Sequence, residues 1–416
     1  MGGALRRRRA PPFSMSEIFS FLGSLLGKVV AAYMAAAQIF LGFTAGSGTV
    51  FVRTYPGTVV ETVWTAYRDK IQKDGRTIDR QRNFLTTSEG QSYSLLRAVW
   101  MDDKETFDRV LKWTNHNLRK REGDRLFAWL WGQDEEGRWD VMRAEGGLNT
   151  ASDADQDIAL ALIFAHKRWN QEHYLTEARE ILDDIWRVEV VTIKGRPYLT
   201  AGNWAKIETR PTLNPSYFSF AAYPIFAAID PARDWAELKS TSYEALKASS
   251  RGALDGKTSA GLPPDWISID RTTGAIFPPI HRDKTTNFSD DAFRALWRVS
   301  LDFKWHRDPR AKEYLESLKF FDKEWEREGK IFGTYRHNGE AMRQSESLSL
   351  YGALLAHYWI MDAARAEEIY LTKLAPLYNP DIEDLREDLG YYPQNWVWFG
   401  LAFYSDKLPN LFLIQN

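Results

Sequence analysis

Apolar residues recur along most of the chain at spacings of three and four, the pattern of helices that bury one face. The clearest stripe is Val60, Val63, Trp64, Tyr67 and Ile71. Comparable stripes occur in the segments Tyr93–Trp100, Phe107–Leu111, Ile158–Trp169, Ala178–Trp186, Phe218–Phe226, Leu238–Leu246, Phe293–Trp297, Tyr314–Phe321, Leu348–Leu355, Ile369–Leu374 and Trp396–Phe403. The pattern therefore predicts a helical protein, and no strand-like alternation of similar length interrupts it.

The longest segments without a helical period are about 119–151, 187–214 and 249–289, which are rich in Gly, Pro, Asp and Thr. Loops of that length inside a compact domain usually carry function. No repeat of fixed period is visible, which disfavours a solenoid. We predict one all-α domain over residues 49–416, built from helical hairpins closed into a barrel, with the long loops carrying the site.

Residues 1–48 have a different pattern. Arg6–Arg9 precede a mostly apolar stretch over 18–43, and small residues follow at 44–46. A basic start, an apolar middle and a small-residue end are typical of a signal peptide or membrane anchor. This interpretation predicts an extracytoplasmic protein, either secreted, periplasmic or anchored through this segment and facing outwards. The alternative is an amphipathic helix that packs on the domain, with Lys28 on its solvent-exposed face.

Composition excludes several classes of function. The 416 residues carry 54 basic and 56 acidic side chains, a formal net charge of -2, whereas a nucleic-acid binder shows a clustered basic excess. The absence of cysteine excludes disulfides, thiol nucleophiles and thiolate metal sites. The 7 histidines are scattered singly, and no phosphate-loop or dinucleotide fingerprint occurs. We therefore expect no metal and no cofactor.

Carboxylates cluster at three predicted helix starts, in the segments 87–93, 152–157 and 289–294. Helix capping is one explanation, with Ser88 as the cap of the first helix. Capping does not account for Asp153, Asp155 and Asp157 together, because three acids within five residues repel one another. Helix starts in a barrel of helices converge at one end, so we predict that the clusters meet.

Residues 151–169, ASDADQDIALALIFAHKRW, resemble the signature of family 8 glycoside hydrolases, which include bacterial endoglucanases, xylanases, lichenases and chitosanases. Ser88-Glu89-Gly90-Gln91 is similar to the family segment that carries the proton donor, and Asp291-Ala292-Phe293-Arg294 resembles the segment that carries the base. Segments 214–218 and 261–266 also match in the expected order, so the resemblance covers roughly residues 50–406. Two departures are Asp290, where the family usually has Tyr, and Pro393.

The resemblance implies an (α/α)6 barrel and an inverting mechanism. Glu89 would be the general acid, Asp291 the base that activates water, and Asp153 the acid that holds the distorted sugar and helps to keep Glu89 protonated. Asp290 leaves open which of two adjacent acids is the base. The implied contacts to the glycan come from Trp129, Trp204, Tyr217, Arg294, Tyr391 and Tyr392. By contrast, Trp64, Trp186 and Trp297 lie on helix stripes and are predicted to be core.

The favoured substrate is a β-1,4-linked glucan cleaved in endo fashion, with an association with bacterial cellulose synthesis as an extension of that hypothesis. Alternatives of the same family are a xylanase or exo-oligoxylanase and, less favoured, a chitosanase. An alternative of another class is a weakly catalytic glycan-binding component of a polysaccharide synthesis complex. In each case the expected partner is a polysaccharide or oligosaccharide, with no nucleic acid, and the protein is expected to be a monomer.

Overall fold

The computed structural model describes residues 56–255, 258–386 and 389–414. These residues belong to one compact unit that spans 54–416. The predicted leader over residues 1–48 lies outside the described residues. None of the helices within the described ranges combines the length and the apolar character needed to cross a bilayer.

Helices make up most of the regular structure, as the periodicity predicts. In chain order they are α1 Pro56–Lys70, α2 Ser88–Trp100, α3 Lys104–Asn117, α4 Ser152–Trp169, α5 Glu172–Asp184, α6 Asn203–Lys206, α7 Tyr223–Ile229, α8 Trp235–Arg251, α9 Arg294–His306, α10 Pro309–Ser317, α11 Phe320–Glu328, α12 Leu348–Met361, α13 Ala363–Ile369 and α14 Tyr391–Tyr404.

The helices fall into two kinds that differ in burial. Helices α2, α4, α9, α12 and α14 are buried on nearly every face over most of their length. Helices such as α1, α3, α5 and α8 bury one stripe and expose the opposite side. A helix that is buried all round lies inside a layer of others, so the first kind forms the interior of the unit.

The interior helices contact one another in sequence. Helix α2 packs against α4, α9 against α12, α12 against α14, and α14 against both α1 and α2. The closest of these contacts depends on glycine, because a Cβ added at Gly400 would lie 2.4 Å from the carbonyl oxygen of Gly352. Two helices can approach so closely only where no side chain separates their backbones.

Most of the short strands lie in the segments that the sequence pattern predicts as long loops. Strands β1 Thr86–Thr87, β2 Leu130–Gln133 and β3 Trp139–Val141 form one antiparallel sheet, in which Thr87 pairs with Leu130. The remaining strands are β4 Val190–Ile193, β5 Arg196–Leu199, β6 Thr212–Leu213, β7 Ile267–Ile269, β8 Ile276–Phe277, β9 Tyr378–Asn379 and β10 Asp384–Leu385. Each has two to four residues, too few for an alternation of period two to be recognised.

Three of the predicted helical segments need correction at their ends. The stripe over 218–226 is helical only from Tyr223, and the stripe over 314–321 is divided between α10 and α11. The stripe over 369–374 continues α13 as a π-helical turn. The predicted core tryptophans Trp64 and Trp297 are buried, while Trp186 is partly buried and packs edge-on against Trp235.

Candidate active site

One buried arginine joins the three carboxylate clusters. Arg294, at the start of α9, has a side chain that is 1% exposed. Its Nη1 donates to Glu89 Oε2 at 2.6 Å and to Asp153 Oδ2 at 2.9 Å. Its Nη2 donates to Asp291 Oδ1. The structure therefore brings the three acids predicted from the sequence around a single guanidinium, at the starts of α2, α4 and α9.

Glu89 is the first acid of this centre, and α2 presents it at its first turn. The helix is capped by Thr87, whose Oγ1 accepts from the backbone N of Gly90 at 3.0 Å. The prediction that Ser88 is the cap is therefore wrong, because Ser88 already belongs to the helix. Tyr391, at the start of α14, donates from its hydroxyl to Glu89 Oε1 at 2.8 Å.

Burial raises the pKa of Glu89 to about 7, against a smaller lowering by Arg294 and with a further increase from the charge of Asp153. A carboxyl with such a pKa is about half protonated at pH 7 and mostly protonated below it, and general acid catalysis requires the protonated form. Its side chain is 19% exposed, so a substrate can reach the proton.

Asp291 is more open than Glu89, with a side chain that is 31% exposed. Both of its oxygens accept hydrogen bonds, Oδ1 from Arg294 and Oδ2 from the indole Nε1 of Trp266 at 3.0 Å. Two donors, one on each oxygen, fix the orientation of this carboxyl group. The preceding residue, Asp290, lines the same cavity, but its hydrogen bond to Tyr392 is made by the backbone carbonyl. Asp291 is thus the acid that the site holds in place.

The turn that carries Asp291 is held by a further buried acid, Asp265. Its Oδ1 accepts from the backbone N of Ser289 at 3.0 Å and of Ala292 at 2.9 Å, and its Oδ2 accepts from Ser289 Oγ at 2.6 Å. Burial, with the nearby charge of Asp291, raises the pKa of Asp265 to about 8. Asp265 fixes the direction in which the 289–292 turn presents its carboxylate.

Two facing pairs explain two of the three acids at the start of α4. Asp153 and Asp157 lie one turn apart, as do Arg294 and Arg298 on α9. Asp153 pairs with Arg294, and Asp157 accepts from both Nη atoms of Arg298 at 2.9 Å. The capping explanation for Asp153 is wrong, because the cap residue of α4 is Ala151 and makes no side-chain bond. Asp155 does not take part in these pairs.

Burial is the main cause that raises the pKa of Asp153, and the two arginines oppose it.

The aromatic residues predicted to bind glycan are half-buried, so none of them is part of the closed core. They are Trp129, Trp204, Tyr217, Tyr391 and Tyr392. The guanidinium carbon of Arg294 lies 5.0 Å from the ring centre of Tyr217, whose ring meets that of Trp266 edge-on at 5.7 Å. The ammonium of Lys284 lies 4.1 Å from the ring centre of Trp266 and 5.3 Å from that of Trp204. These contacts form a continuous aromatic border that leads away from Asp291.

Tyr391 and Tyr392 line a cavity of about 610 Å³ together with Glu89, Asp290 and Asp291. Trp129 is joined to the centre through the backbone, since its carbonyl accepts from the N of Ser88 at 3.1 Å. Its indole donates to the carbonyl of Gly146 at 3.1 Å.

Three residues of the centre were not assigned by sequence reasoning: Trp266, Asp265 and Tyr93. The first two lie in the 261–266 segment, where a match gives no information on which side chain faces Asp291. Tyr93 is one helical turn beyond Glu89, and its hydroxyl accepts from Arg294 Nη1 at 3.5 Å. The spacing of four between Glu89 and Tyr93 could have identified Tyr93 from the sequence, because residues four apart share one face of a helix. Within the described ranges, no group of three or more metal-ligating side chains is arranged to hold a metal ion.

The sequence profile of glycosyl hydrolases family 8 matches residues 52–339. The chain is similar to an endoglucanase of Xanthomonas axonopodis pv. citri, at 38% identity over 247 residues, which are 58% of this chain and 60% of the relative. It is also similar to endoglucanase A of Acetivibrio thermocellus, at 28% identity over 347 residues, which are 82% of this chain and 65% of the relative. The chain thus spans less than two thirds of the length of these relatives.

Among solved structures, the endo-1,4-D-glucanase from Vibrio fischeri ES114 superposes with a TM-score of 0.70 at 26% identity. The superposition covers 82% of this chain and 94% of that structure. The similarity therefore extends over most of this chain and nearly all of that structure.

Proposed function

Because this chain belongs to glycosyl hydrolases family 8, we propose that it cleaves β-1,4-linked glucan chains as an inverting endoglucanase. The observation that carries the proposal is the arrangement at Arg294, which holds Glu89 by one terminal nitrogen and Asp291 by the other. Arg294 thereby holds apart two carboxyls, one suited to act as a general acid and the other as a general base.

Inversion needs a protonated carboxyl at the leaving oxygen and an ionised one that activates water on the opposite face of the sugar, with the two groups ~6.5–9.5 Å apart. Glu89, with its raised pKa, gives its proton to the departing oxygen. Asp291 accepts the proton of the attacking water. Arg294 then stabilises the charge left on Glu89, since its Nη1 already donates to that carboxyl.

Asp153 is proposed to bind the sugar at the cleavage point. It is 2% exposed and is held by Arg294 at 2.9 Å, the same guanidinium nitrogen that holds Glu89, so it presents a fixed acceptor beside the acid. Its negative charge also raises the pKa of Glu89. The two effects make one residue serve both sugar binding and the protonation of the acid.

The finer architecture proposed for the unit is an (α/α)6 barrel. The contacts that support it run from α2 to α4, then through the 3-10 turn at Pro215–Tyr217 to α9, and on through α12 and α14 back to α2. Such a circuit brings the starts of α2, α4, α9 and α14 to one end, where Glu89, Asp153, Arg294 and Tyr391 lie.

The choice of a β-1,4-glucan rests on the names of the relatives, since both curated relatives described above are endoglucanases. Xylan or chitosan remains an alternative substrate within the family. A glycan-binding role without catalysis is disfavoured, because a pure binder has no use for a separated acid and base. We further propose that the protein is a monomer outside the cytoplasm and that residues 1–48 are its signal peptide or membrane anchor. We also propose that it acts in association with cellulose synthesis.

The test is to incubate the protein with carboxymethylcellulose, mixed-linkage β-glucan, xylan and chitosan and to size the products. We expect rapid shortening of the two glucans, and the first product of a β-linked oligosaccharide should be the α anomer by NMR. Glu89→Gln serves as the inactive control. Initial release of the β anomer, or cleavage of xylan or chitosan alone, would contradict the proposal.

A further inference from the structure

A second pair of buried acids lies beside the Arg294 centre and has no part in the proposed reaction. Asp155 lies on α4, two residues after Asp153, and Glu189 ends the π-helical turn Ile185–Glu189. Both side chains are fully buried. The two carboxyls lie close enough to interact with each other.

Each carboxyl of this pair uses one oxygen for a protein donor. Asp155 Oδ1 accepts from the backbone N of Phe127 at 3.1 Å, and Glu189 Oε1 accepts from Thr150 Oγ1 at 2.5 Å. The remaining oxygens, Asp155 Oδ2 and Glu189 Oε2, are buried and have no donor in the protein. Two ionised carboxylates are acceptors only, so these oxygens can bond to each other only if the pair holds a proton.

Little positive charge is free to offset a second negative charge at this position. Arg121 acts on both acids, but its guanidinium is paired with Asp124 at 2.8 to 3.2 Å. Lys206 also interacts electrostatically with Glu189, but its ammonium donates to the backbone carbonyl of Arg187. Burial is the first cause that raises the pKa of both acids, that of Asp155 to about 8. The pair therefore retains its proton through neutral pH.

One donor to the pair lies in the Trp129 segment, and the other donor is hydrogen-bonded to the Trp204 segment. Phe127 is two residues before Trp129. Thr150 is joined to Asn203 by two hydrogen bonds, from Thr150 N to Asn203 Oδ1 at 2.8 Å and from Asn203 N to Thr150 Oγ1 at 3.0 Å. Trp204 follows directly. A single protonated carboxyl pair thus connects the Trp129 and Trp204 segments to α4.

We propose that Asp155 and Glu189 are positioning residues, which share one proton and so hold the Trp129 and Trp204 segments in the arrangement that binds glycan. Loss of the proton places two like charges in a buried site, and the two segments separate. The glycan is then bound more weakly, while the acid and base at Arg294 keep their geometry. The kinetic part of this inference rests on the proposed function.

The decisive variant is Glu189→Gln, because an amide can reproduce the protonated state at every pH. Its Oε1 still accepts from Thr150, and its Nε2 donates to the ionised Asp155. For the unchanged protein, KM for a cello-oligosaccharide should rise by up to about tenfold per pH unit once the shared proton is lost, since only the competent fraction binds. In Glu189→Gln, KM should stay flat over the same range. The fall of kcat at alkaline pH, caused by Glu89, should remain in both.

The matched control is Asp302→Asn. Asp302 is also a buried acid, but it is neutralised by Lys239 at 2.7 Å and Tyr243 at 2.6 Å instead of by a shared proton. This variant should keep the wild-type dependence of KM on pH, whatever it loses in stability. A flat KM in Asp302→Asn would overturn the inference, as would a Glu189→Gln variant whose KM still rises.

A spectroscopic measurement tests the pair without any turnover. Infrared difference spectra of the wild type against Glu189→Gln at neutral pH should show the carbonyl stretch of one protonated carboxyl that the variant lacks. Identical spectra would overturn the inference. If Glu189→Gln does not fold, Asp155→Asn makes the same test, because its amide donates to Glu189. If the wild type cleaves no glucan, the proposed function fails, while the infrared result still decides on the shared proton.

Discussion

Two clusters of buried carboxyls begin at the first turn of α4, and they are stabilised in different ways. Asp153 joins the centre at Arg294, where one guanidinium contacts three acids. Two residues later, Asp155 faces Glu189, where the stabilising species is a proton. Arginine remains charged at any working pH, whereas a shared proton can be lost. The first cluster can therefore exchange protons with a substrate while keeping its shape, and the second keeps its shape only while it is protonated.

The largest expected effect comes from removing the cation of the first cluster. Arg294→Ala leaves Glu89, Asp153 and Asp291 without a counter-charge, and breaking such a buried pair costs about 3–5 kcal/mol. We expect a large fall in thermal stability and a loss of kcat of roughly 10²–10³-fold or more. Melting followed by circular dichroism, together with kcat, checks both. Arg138→Ala, at a side chain that is 73% exposed, is the control and should melt like the wild type.

The next largest effects are expected at the two carboxyls that Arg294 separates, Glu89 and Asp291. Glu89→Gln should lower kcat on a glucan by ~10²–10⁴-fold and recover much of that loss on an aryl glycoside, whose leaving group departs without a proton. Asp291→Asn should not recover, because water activation is still missing. Equal behaviour of the two variants on the aryl glycoside would show that the roles of acid and base are not divided as proposed.

Asp153→Asn tests whether the clusters act separately although they share a helix turn. We expect lower kcat, and the alkaline limb of its pH profile should move to lower pH. The sign follows because the charge of Asp153 raises the pKa of Glu89, so its removal lets Glu89 lose its proton sooner. The pH dependence of KM, which belongs to the second cluster, should not move. A helix cap would give the opposite pattern, with lower stability and unchanged kinetics.

The second cluster should be visible in stability against pH. The pKa of Glu89 is raised to about 7 and that of Asp155 to about 8, above the value of about 4 in an unfolded chain. The folded state therefore binds more protons, and stability falls as pH rises from about 4.5 to 8. We expect a melting temperature that declines over this range and a shallower decline in Glu189→Gln. A melting temperature that rises between pH 5 and 8 would contradict both assignments.

The smallest effect is expected at Asp290, which is adjacent to the first cluster without being part of it. Arg294 and Trp266 both bond to Asp291, so Asp290→Asn should leave kcat near the wild-type value. Its stability should change by no more than about 0.5 kcal/mol. A loss of kcat comparable to that of Asp291→Asn would move the base to Asp290.

The first cluster could be largely anticipated from the sequence, and the second could not. Glu89, Asp153 and Asp291 each stand at a helix start, and helical periodicity identified those helices, so their convergence followed. The position of Asp155 was equally plain, but its partner Glu189 lies 34 positions away at the end of a π-helical turn. No local period marks such a turn, and the pairing depends on tertiary packing.

The exact helix ends and the short strands could not be predicted from the sequence either, because they too depend on tertiary contacts. Ser88 and Thr87 are both good caps by type, and only the backbone at Thr87, which is extended with ψ 152°, decides between them. Strand β1 has two residues and exists because β2 lies beside it. Trp266 contacts Asp291 because Asp265 holds the 289–292 turn, an arrangement of two loops that spacing along the chain does not encode.

One guanidinium contacts both reacting carboxyls, and this affects how the charge beside it changes during turnover. In the proposed reaction, Glu89 becomes negative as it gives up its proton, and Asp291 becomes neutral as it gains one from water. The sum of the two charges is the same before and after. Arg294, bonded to both, is therefore never left with an excess or a deficit of counter-charge, and the surrounding helices need not rearrange to absorb one. What must be restored between turnovers is the location of one proton, which bulk water can exchange at the more exposed Asp291.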